Sequence, residues 1–448
     1  MSTGVGALFK NLALYTVYLT AIIVFFLSFS GKIKYGFSFL IFLIPLQNVF
    51  LKLQELPFGK DIPNLLLLAM ILGWFFDKIS KGKQIFGKSS FNVLLIFYCF
   101  YTYFTLWHGT IYFDLPAPLS ITEPRFQTWK NYMVLPLLFF VGFNNVKDRK
   151  ELARFFVFIC LAMVLMNRST LVEIRDASSW VSRSKFKGSF AWLGANEVAA
   201  FYATYTFVLL GIFLYVKKNL WKVLLAVLIV MNLYCVLFLF SRGAYLATLA
   251  AFSLIGFFRN KIILVFVAFL LIFWQVILPQ KVVERINFTE VEGEMDQSAE
   301  KRIEYWQETM QYFKQSPIIG VGFNVKTYIG SQRDTHNLYI RTLAEEGIIG
   351  LLFLLTIMFL ALKRGLRLFK KAQDRFLKGL GLGFAACVLA VIVGNCFGDR
   401  WTYLPVGAYF WIFLAMVERG NVITDAELRE RVVVAKAAPV ARKRVRKV

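Results

Sequence analysis

Long uninterrupted apolar runs constrain this chain more than any other feature of its sequence. Runs of about 16 to 25 residues recur along it, and a helix needs about 20 such residues to cross a hydrocarbon core. Charged residues make up only 17% of the 448 residues and the mean hydropathy is +0.60, so a water-soluble domain would lack polar surface. The pattern predicts an all-α polytopic membrane protein.

The apolar runs set the expected number of membrane crossings. If one run is re-entrant, roughly 12 rather than 13 transmembrane helices remain, and the orientation of the N-terminus changes with that choice. The runs lie near 12–29, 36–51, 62–77, 91–107, 131–144, 152–167, 191–216, 220–240, 244–258, 262–278, 347–362, 380–397 and 402–417.

A formal net charge of +24 is typical of nucleic-acid-binding proteins, but the distribution of the charge along this chain argues against a nucleic-acid partner. Basic residues fall in short joints between the runs, which is typical of cytoplasmic loops. Placing the joints at 77–90, 145–151, 217–222, 259–261 and 363–379 inside gives a self-consistent alternation. We therefore expect membrane lipids as partners and no nucleic acid.

This alternation divides the chain into four parts. Residues 1–278 hold the first ten spans, 279–346 form one large extracytoplasmic loop, 347–417 hold the last spans, and 418–448 form a basic cytoplasmic tail, which is predicted to be disordered. The loop carries eleven Asp and Glu residues against eight Lys and Arg, unlike the inner joints. Its different character makes it the expected place for function.

Two helices are predicted within the large loop. The stretch "MDQSAEKRIEYWQETMQYFKQ" has apolar side chains at helical spacing, and Pro317 lies beyond its end. A second helix is expected to begin near Thr335, whose hydroxyl would cap it, and to place His336 and Gly347 on one face. The apolar residues of the first helix are Ile303, Trp306, Met310 and Phe313.

His336 and Arg242 are the first candidates for chemistry. Imidazole accepts a proton near neutral pH, and Asn337 beside it is placed to orient it or to contact substrate. Arg242 lies between two apolar runs, where a guanidinium grips phosphate well. Each has a structural alternative, because His336 suits a solvated or capping residue and Arg242 suits snorkelling to the interface.

Further arginines lie on the same side of the predicted membrane. Arg302 suits either an anion site or an ion pair on a helix surface, and Arg333 is a candidate substrate-binding residue. Arg125, Arg341 and Arg400, taken singly, are more often structural.

A metal site is not predicted. The five cysteines lie in or beside apolar runs, without the Cys or His spacing of a zinc site.

Several stretches together resemble the O-antigen ligase and O-antigen polymerase superfamily. "RDTHNLYIRTLAEEGIIG" fits the ligase form H-[NSQ]-x9-G-x-x-[GTY] at His336, Asn337, Gly347 and Gly350. "KRIEYWQETMQYFKQSPIIGVGFNVK" resembles the preceding Arg-x3-Trp and G-x-G segment. "FSRGAYLATLAAF" is similar to the family's Ser-Arg-Gly, and "KGSFAWLGANEVAAF" to the entry of a central helix. The resembling stretches span roughly 183–350.

The resemblance implies a GT-C-like fold and an inverting glycosyltransferase that uses neither metal nor cofactor. Its donor would be a glycan on undecaprenyl diphosphate, and its acceptor a hydroxyl of lipid A–core or of another glycan. The reaction would take place on the periplasmic side of the bacterial inner membrane. His336 would be the base, and Arg242 and Arg302 would bind the diphosphate. The family's further arginine falls in 168–190, where Arg183 and Lys187 both compete for the role.

Three classes of function remain open at this point. The ligase spacing and the single acidic loop favour a ligase over a polymerase. A transporter of lipid-linked sugars would carry charges near mid-membrane and internal repeats, neither of which is apparent. A structural scaffold would tolerate the loss of Arg242.

Overall fold

The computed structural model describes residues 2–46, 52–120, 122–176, 186, 194–288, 290–291, 294–295, 297–324 and 335–445. Helices dominate these residues, and one short antiparallel hairpin pairs β1 (Glu290–Val291) with β2 (Glu294–Met295). The helices are α1 (Ser2–Phe29), α2 (Ile33–Leu43), α3 (Ile62–Ser80), α4 (Ser90–Tyr112), α5 (Pro124–Asn145), α6 (Arg149–Asp176), α7 (Ala195–Phe213), α8 (Asn219–Phe238), α9 (Arg242–Arg259), α10 (Lys261–Ile277), α11 (Gln280–Asn287), α12 (Gln297–Gln315), α13 (Leu338–Lys371), α14 (Arg375–Gly394) and α15 (Leu404–Val445).

Nine of the described helices are long and apolar enough to cross a membrane, which confirms an all-α polytopic membrane protein. They are α1, α3, α4, α6, α7, α8, α13, α14 and α15, and α10 with α11 adds a tenth if this pair is one span. Each of the thirteen predicted runs coincides at least partly with a helix. Because α2 has only eleven residues and α5 and α9 do not meet the same criteria, the count of 12–13 crossings stays a prediction.

The chain turns sharply where the predicted large loop begins. Helix α10 ends at Ile277, and α11 follows at an angle of 101° to it. Pro279 lies at the N-cap of α11, where it is tolerated because no helical hydrogen bond is lost there. The bend lays α11 across the end of the bundle.

Residues 418–445 of the predicted disordered tail are instead helical, since α15 continues as far as Val445. Two acids in its first part have partners. Buried Glu418 accepts hydrogen bonds from Arg364 and, at 2.9 Å, from Ser89. Asp425 accepts one from Arg367 at 2.8 Å. These pairs align α15 with α13, because acids spaced seven residues apart share one helix face.

The basic joints meet one another at one end of the bundle, as the charge pattern predicts. Arg149, at the start of α6, pairs with Asp374, which precedes α14. Arg419 donates to the carbonyl of Lys147 at 3.2 Å. The predicted large loop and the starts of α7, α9 and α13 therefore lie at the other end, which we call the loop end.

Helix α14 lies in the centre of the fold and packs against α7, α9 and α13. Its contact with α7 is close enough to require glycine, because a Cβ at Gly211 would lie 2.5 Å from the Cα of Gly383. Small residues allow this approach between membrane helices, where van der Waals packing drives association. The central position of α14 fixes where α7, α9 and α13 begin at the loop end.

Candidate functional site

A cavity of about 340 Å³ at the loop end contains three of the residues predicted from the sequence: Arg242, Arg302 and His336. Arg285 and Lys301 add two further cations, and no Asp or Glu among the described residues lines it. We call it the cationic cavity. Its described lining is Asn196, Ser241, Arg242, Gly243, Arg285, Lys301, Arg302, Tyr305, His336 and Phe397.

Three helices begin at the cationic cavity. Asn196 is the second residue of α7, Arg242 is the first residue of α9, and His336 lies two residues before α13. The helix dipole gives each N-terminus about half a positive charge. Together with four side-chain cations, this arrangement favours a multiply charged anion.

Asn337 fixes the start of α13. Its side-chain oxygen accepts hydrogen bonds from the backbone N–H groups of Tyr339 and Ile340, at 3.0 and 3.1 Å, and its amide donates to the carbonyl of Cys396 at 3.1 Å. The cap is therefore Asn337 and not Thr335, because an amide at this position reaches both free N–H groups. These bonds hold the backbone directly after His336 in place.

His336 itself lies outside the helix that was predicted to contain it. Its φ of +49° is in the left-handed region, which histidine enters more readily than most residues. This turn places the imidazole at the cationic cavity, so the expected face shared by His336 and Gly347 does not form.

Helix α12 contacts the residue that directly precedes His336. The indole N–H of Trp306 donates to the carbonyl of Thr335 at 2.7 Å. The helix is present as predicted, but its buried face differs, since Ile303 is 38% exposed and Thr309 is fully buried. Arg302 lies one turn before Trp306, so one helix face both presents Arg302 to the cavity and positions the residues beside His336.

A break in α13 at Gly347 lets the end of α12 pack closely. Gly347 has φ +67° and ψ −167°, and the chain after α12 passes against it. The N–H of Ile348 donates to the carbonyl of Pro317 at 2.9 Å, and the N–H of Val321 to that of Ala344 at 2.9 Å. Glycine is required because this backbone region is almost inaccessible to other residues.

The other arginines at the loop end have structural partners. Arg341 pairs with Glu345 at 3.0 Å and with Asp399, Arg400 pairs with Glu197, and Arg125 donates to Thr110 at 3.1 Å. These contacts agree with the expectation that Arg125, Arg341 and Arg400 are structural. Arg183, Lys187 and Arg333 lie outside the described residues.

The sequence did not single out Asn196, Arg285, Lys301 or Tyr305 as site residues. Arg285 lies in an eight-residue helix within a loop rich in both charges, so no local pattern marks it. For Lys301 the only indication in the sequence was its position directly before the candidate Arg302.

Comparison with known proteins identifies the part of the chain that forms most of this site. Residues 227–355 match the family model described as O-antigen ligase, and this range includes all four cavity cations and His336. The site thus lies mostly in a segment of the chain that is similar to O-antigen ligases. This match confirms the resemblance to the O-antigen ligase and polymerase superfamily, whose members are glycosyltransferase-like enzymes. No curated protein matches the chain.

Proposed function

We propose that this protein is an O-antigen ligase-like glycosyltransferase that moves a glycan from undecaprenyl diphosphate to an acceptor hydroxyl. The observation that carries the proposal is the cationic cavity, where four cations and three helix N-termini surround a histidine. The match of residues 227–355 to the O-antigen ligase family supports a lipid-linked glycan as substrate. The reaction takes place on the periplasmic side of the bacterial inner membrane.

The diphosphate is the group that the cations would hold. When the bond from the anomeric carbon to the diphosphate oxygen breaks, the electron pair stays on that oxygen. Arg242, Arg285 and Arg302 then donate charge-assisted hydrogen bonds to the departing diphosphate, and fixed cations in a partly dry pocket lower the barrier. Arg242 acts together with the N–H groups at the start of α9.

His336 would take the proton from the acceptor hydroxyl as its oxygen bonds to the anomeric carbon. General-base catalysis of this kind contributes about 10²- to 10⁴-fold to a rate. With the base and the leaving group on opposite faces of the anomeric carbon, the product has inverted configuration. Side-chain cations supply the charge stabilisation, so the proposed mechanism is metal-independent.

We propose ligation rather than polymerisation because His336, Asn337, Gly347 and Gly350 fit the ligase spacing. The test is the glycan profile of cells that lack the gene. A ligase predicts full-length glycan that stays on its lipid carrier, whereas a polymerase predicts single repeat units on the acceptor.

Complementation of the cells that lack the gene tests whether the cationic cavity determines this glycan profile. The wild-type gene and Arg154→Ala should restore attachment, because Arg154 is exposed and belongs to a helix that starts at the opposite end. Arg242→Ala should not. Intact length and attachment after gene loss would refute both forms of the proposal.

A further inference from the structure

A pocket of about 610 Å³ opens at the end of the bundle opposite the loop end, where the start of α4 and the last turns of α13 meet the middle of α15. Among its described lining residues are four cations and a single acid. We call it the basic pocket. It shares no described lining residue with the cationic cavity, and this lining lies outside residues 227–355, so neither the proposed chemistry nor the family match accounts for it.

Two of the four cations of the basic pocket are held in place by ion pairs between α13 and α15. Arg364 donates two hydrogen bonds to buried Glu418, one of them at 3.1 Å. Arg367 donates to both carboxylate oxygens of Asp425, at 2.8 and 3.1 Å, and uses only its Nη2 for these bonds. Its Nε and Nη1 make no hydrogen bond with the part of the chain that the structure describes, so both can donate to a ligand.

The other two cations, Lys88 and Arg429, have no ion-pair or hydrogen-bond partner among the described residues. Both side chains are exposed at the pocket. Lys88 directly precedes Ser89, the N-cap of α4, so the positive end of that helix dipole lies beside it. Four cations against Asp425 and the buried Glu418 leave a net charge of +2. We therefore expect an anionic ligand.

An apolar stripe leads away from the basic pocket along α4, one of the candidate membrane spans. Val93 lines the pocket, and Phe97, Phe100 and Phe104 follow it on the same face of the helix. Each of these four side chains is more than half exposed. The stripe is about 16 Å long, close to half of a hydrocarbon core of roughly 30 Å, so it is as long as one leaflet is deep. This length suits an acyl chain, which a soluble phosphate compound lacks.

We propose that the basic pocket binds the phosphate of an anionic phospholipid, one acyl chain of which lies along the apolar stripe. The phosphate bridges Lys88 and Arg429 and accepts hydrogen bonds from Arg367, because a guanidinium group matches the geometry of phosphate oxygens. Basic pockets between membrane helices suit the headgroups of anionic lipids in this way. The bound lipid thus joins the start of α4 to α15. This proposal does not depend on the transferase function.

The test is photolabelling of the full chain in phosphatidylcholine nanodiscs that contain a trace of phosphatidylglycerol with a diazirine in its acyl chain. We expect labelled peptides from the part of α4 that carries the stripe. The double variant Lys88→Gln/Arg429→Gln should lower this labelling about 30-fold, since each cation near a phosphate contributes roughly fivefold to binding. Because both side chains are exposed, the variant should fold as the wild type does.

Lys218→Gln/Lys222→Gln is the matched control. These two lysines are exposed at the joint between α7 and α8, at the same end of the bundle, and they do not line the pocket. The control removes the same charge from the same side of the membrane, so its labelling should equal that of the wild type. Equal labelling of the wild type and the Lys88→Gln/Arg429→Gln variant would overturn the proposal. Equally strong labelling of the stripe by a diazirine phosphatidylcholine would also overturn it, because the charge of the headgroup would then have no effect.

Competition with soluble anions distinguishes a lipid from a free phosphate compound. Inorganic phosphate or ATP at millimolar concentration should lower the labelling no more than sodium chloride of equal ionic strength does, because neither has a chain for the stripe. Loss of labelling with either anion beyond this salt effect would overturn the lipid assignment, since the pocket would then hold a soluble phosphate.

Thermal unfolding in a neutral detergent gives a second readout of the bound lipid. A ligand that binds only the folded chain stabilises it, so phosphatidylglycerol should raise the wild-type midpoint and phosphatidylcholine should not. With lipid at about a hundredfold excess over its Kd, the shift should be about 3 °C for the wild type and about 1 °C for Lys88→Gln/Arg429→Gln. An equal shift for both proteins would overturn the assignment of the lipid to the basic pocket.

Discussion

The residues of the cationic cavity differ in how readily a sequence pattern identifies them as site residues. Arg242 stands out because it interrupts apolar residues, where an unused charge is costly. His336 and Arg302 emerged through motif spacing. Arg285 could not be predicted, because only the fold of α11 across the bundle brings it to the others.

Arg285 should contribute to donor binding although no motif marks it. We expect Arg285→Gln to raise the donor KM about tenfold or more, since a charge-assisted hydrogen bond contributes about 1.5–3 kcal/mol. Lys314→Gln is the matched control, because Lys314 is exposed at the far end of α12. Steady-state kinetics with varied donor would distinguish them, and an equal donor KM for both variants would remove Arg285 from the site.

At the level of elements, helix spacing predicted α12 and the apolar part of α13. It could not predict the break in α13 at Gly347, where the chain after α12 packs. The break depends on backbone hydrogen bonds between 317–322 and 344–349, which join distant parts of the chain. Local pattern carries no information on such pairing. The same limit applies to α15, where Glu418 is buried because Arg364 lies opposite.

Gly347→Ala should destabilise the loop end strongly. The new Cβ would overlap the carbonyl of Ile318, and alanine is strained at this φ and ψ, for a combined cost of about 2–5 kcal/mol. The thermal unfolding midpoint in detergent should fall by roughly 2–5 °C. Gly82→Ala is the matched control: φ there is +58°, but nothing lies within 4 Å of the new Cβ.

Gly82→Ala should lower the midpoint by no more than about 2 °C, because it tests backbone strain without overlap. Equal effects of the two substitutions would show that the close packing at Gly347 adds nothing to stability.

For the whole molecule, composition and charge distribution predicted the architecture well. The positions and lengths of the apolar runs predicted where helices occur, because a bilayer-spanning segment must satisfy its own backbone hydrogen bonds. The basic joints gather at one end, as in the contact of Arg149 with Asp374. What the sequence could not predict is that α7, α9 and α13 begin around one cavity, because that depends on how these helices pack around α14.

The central claim is that His336 takes a proton in glycan transfer. The rate of transfer by a purified His336 variant tests it most directly. Asparagine tolerates the left-handed backbone at this position, so His336→Asn removes the base without adding strain. We expect transfer from an undecaprenyl-diphosphate-linked donor by the purified protein to fall about 10²- to 10⁴-fold, with unchanged donor binding. Replacing the other histidine, His108→Asn, should leave the rate intact. Transfer by His336→Asn at the wild-type rate would contradict the account.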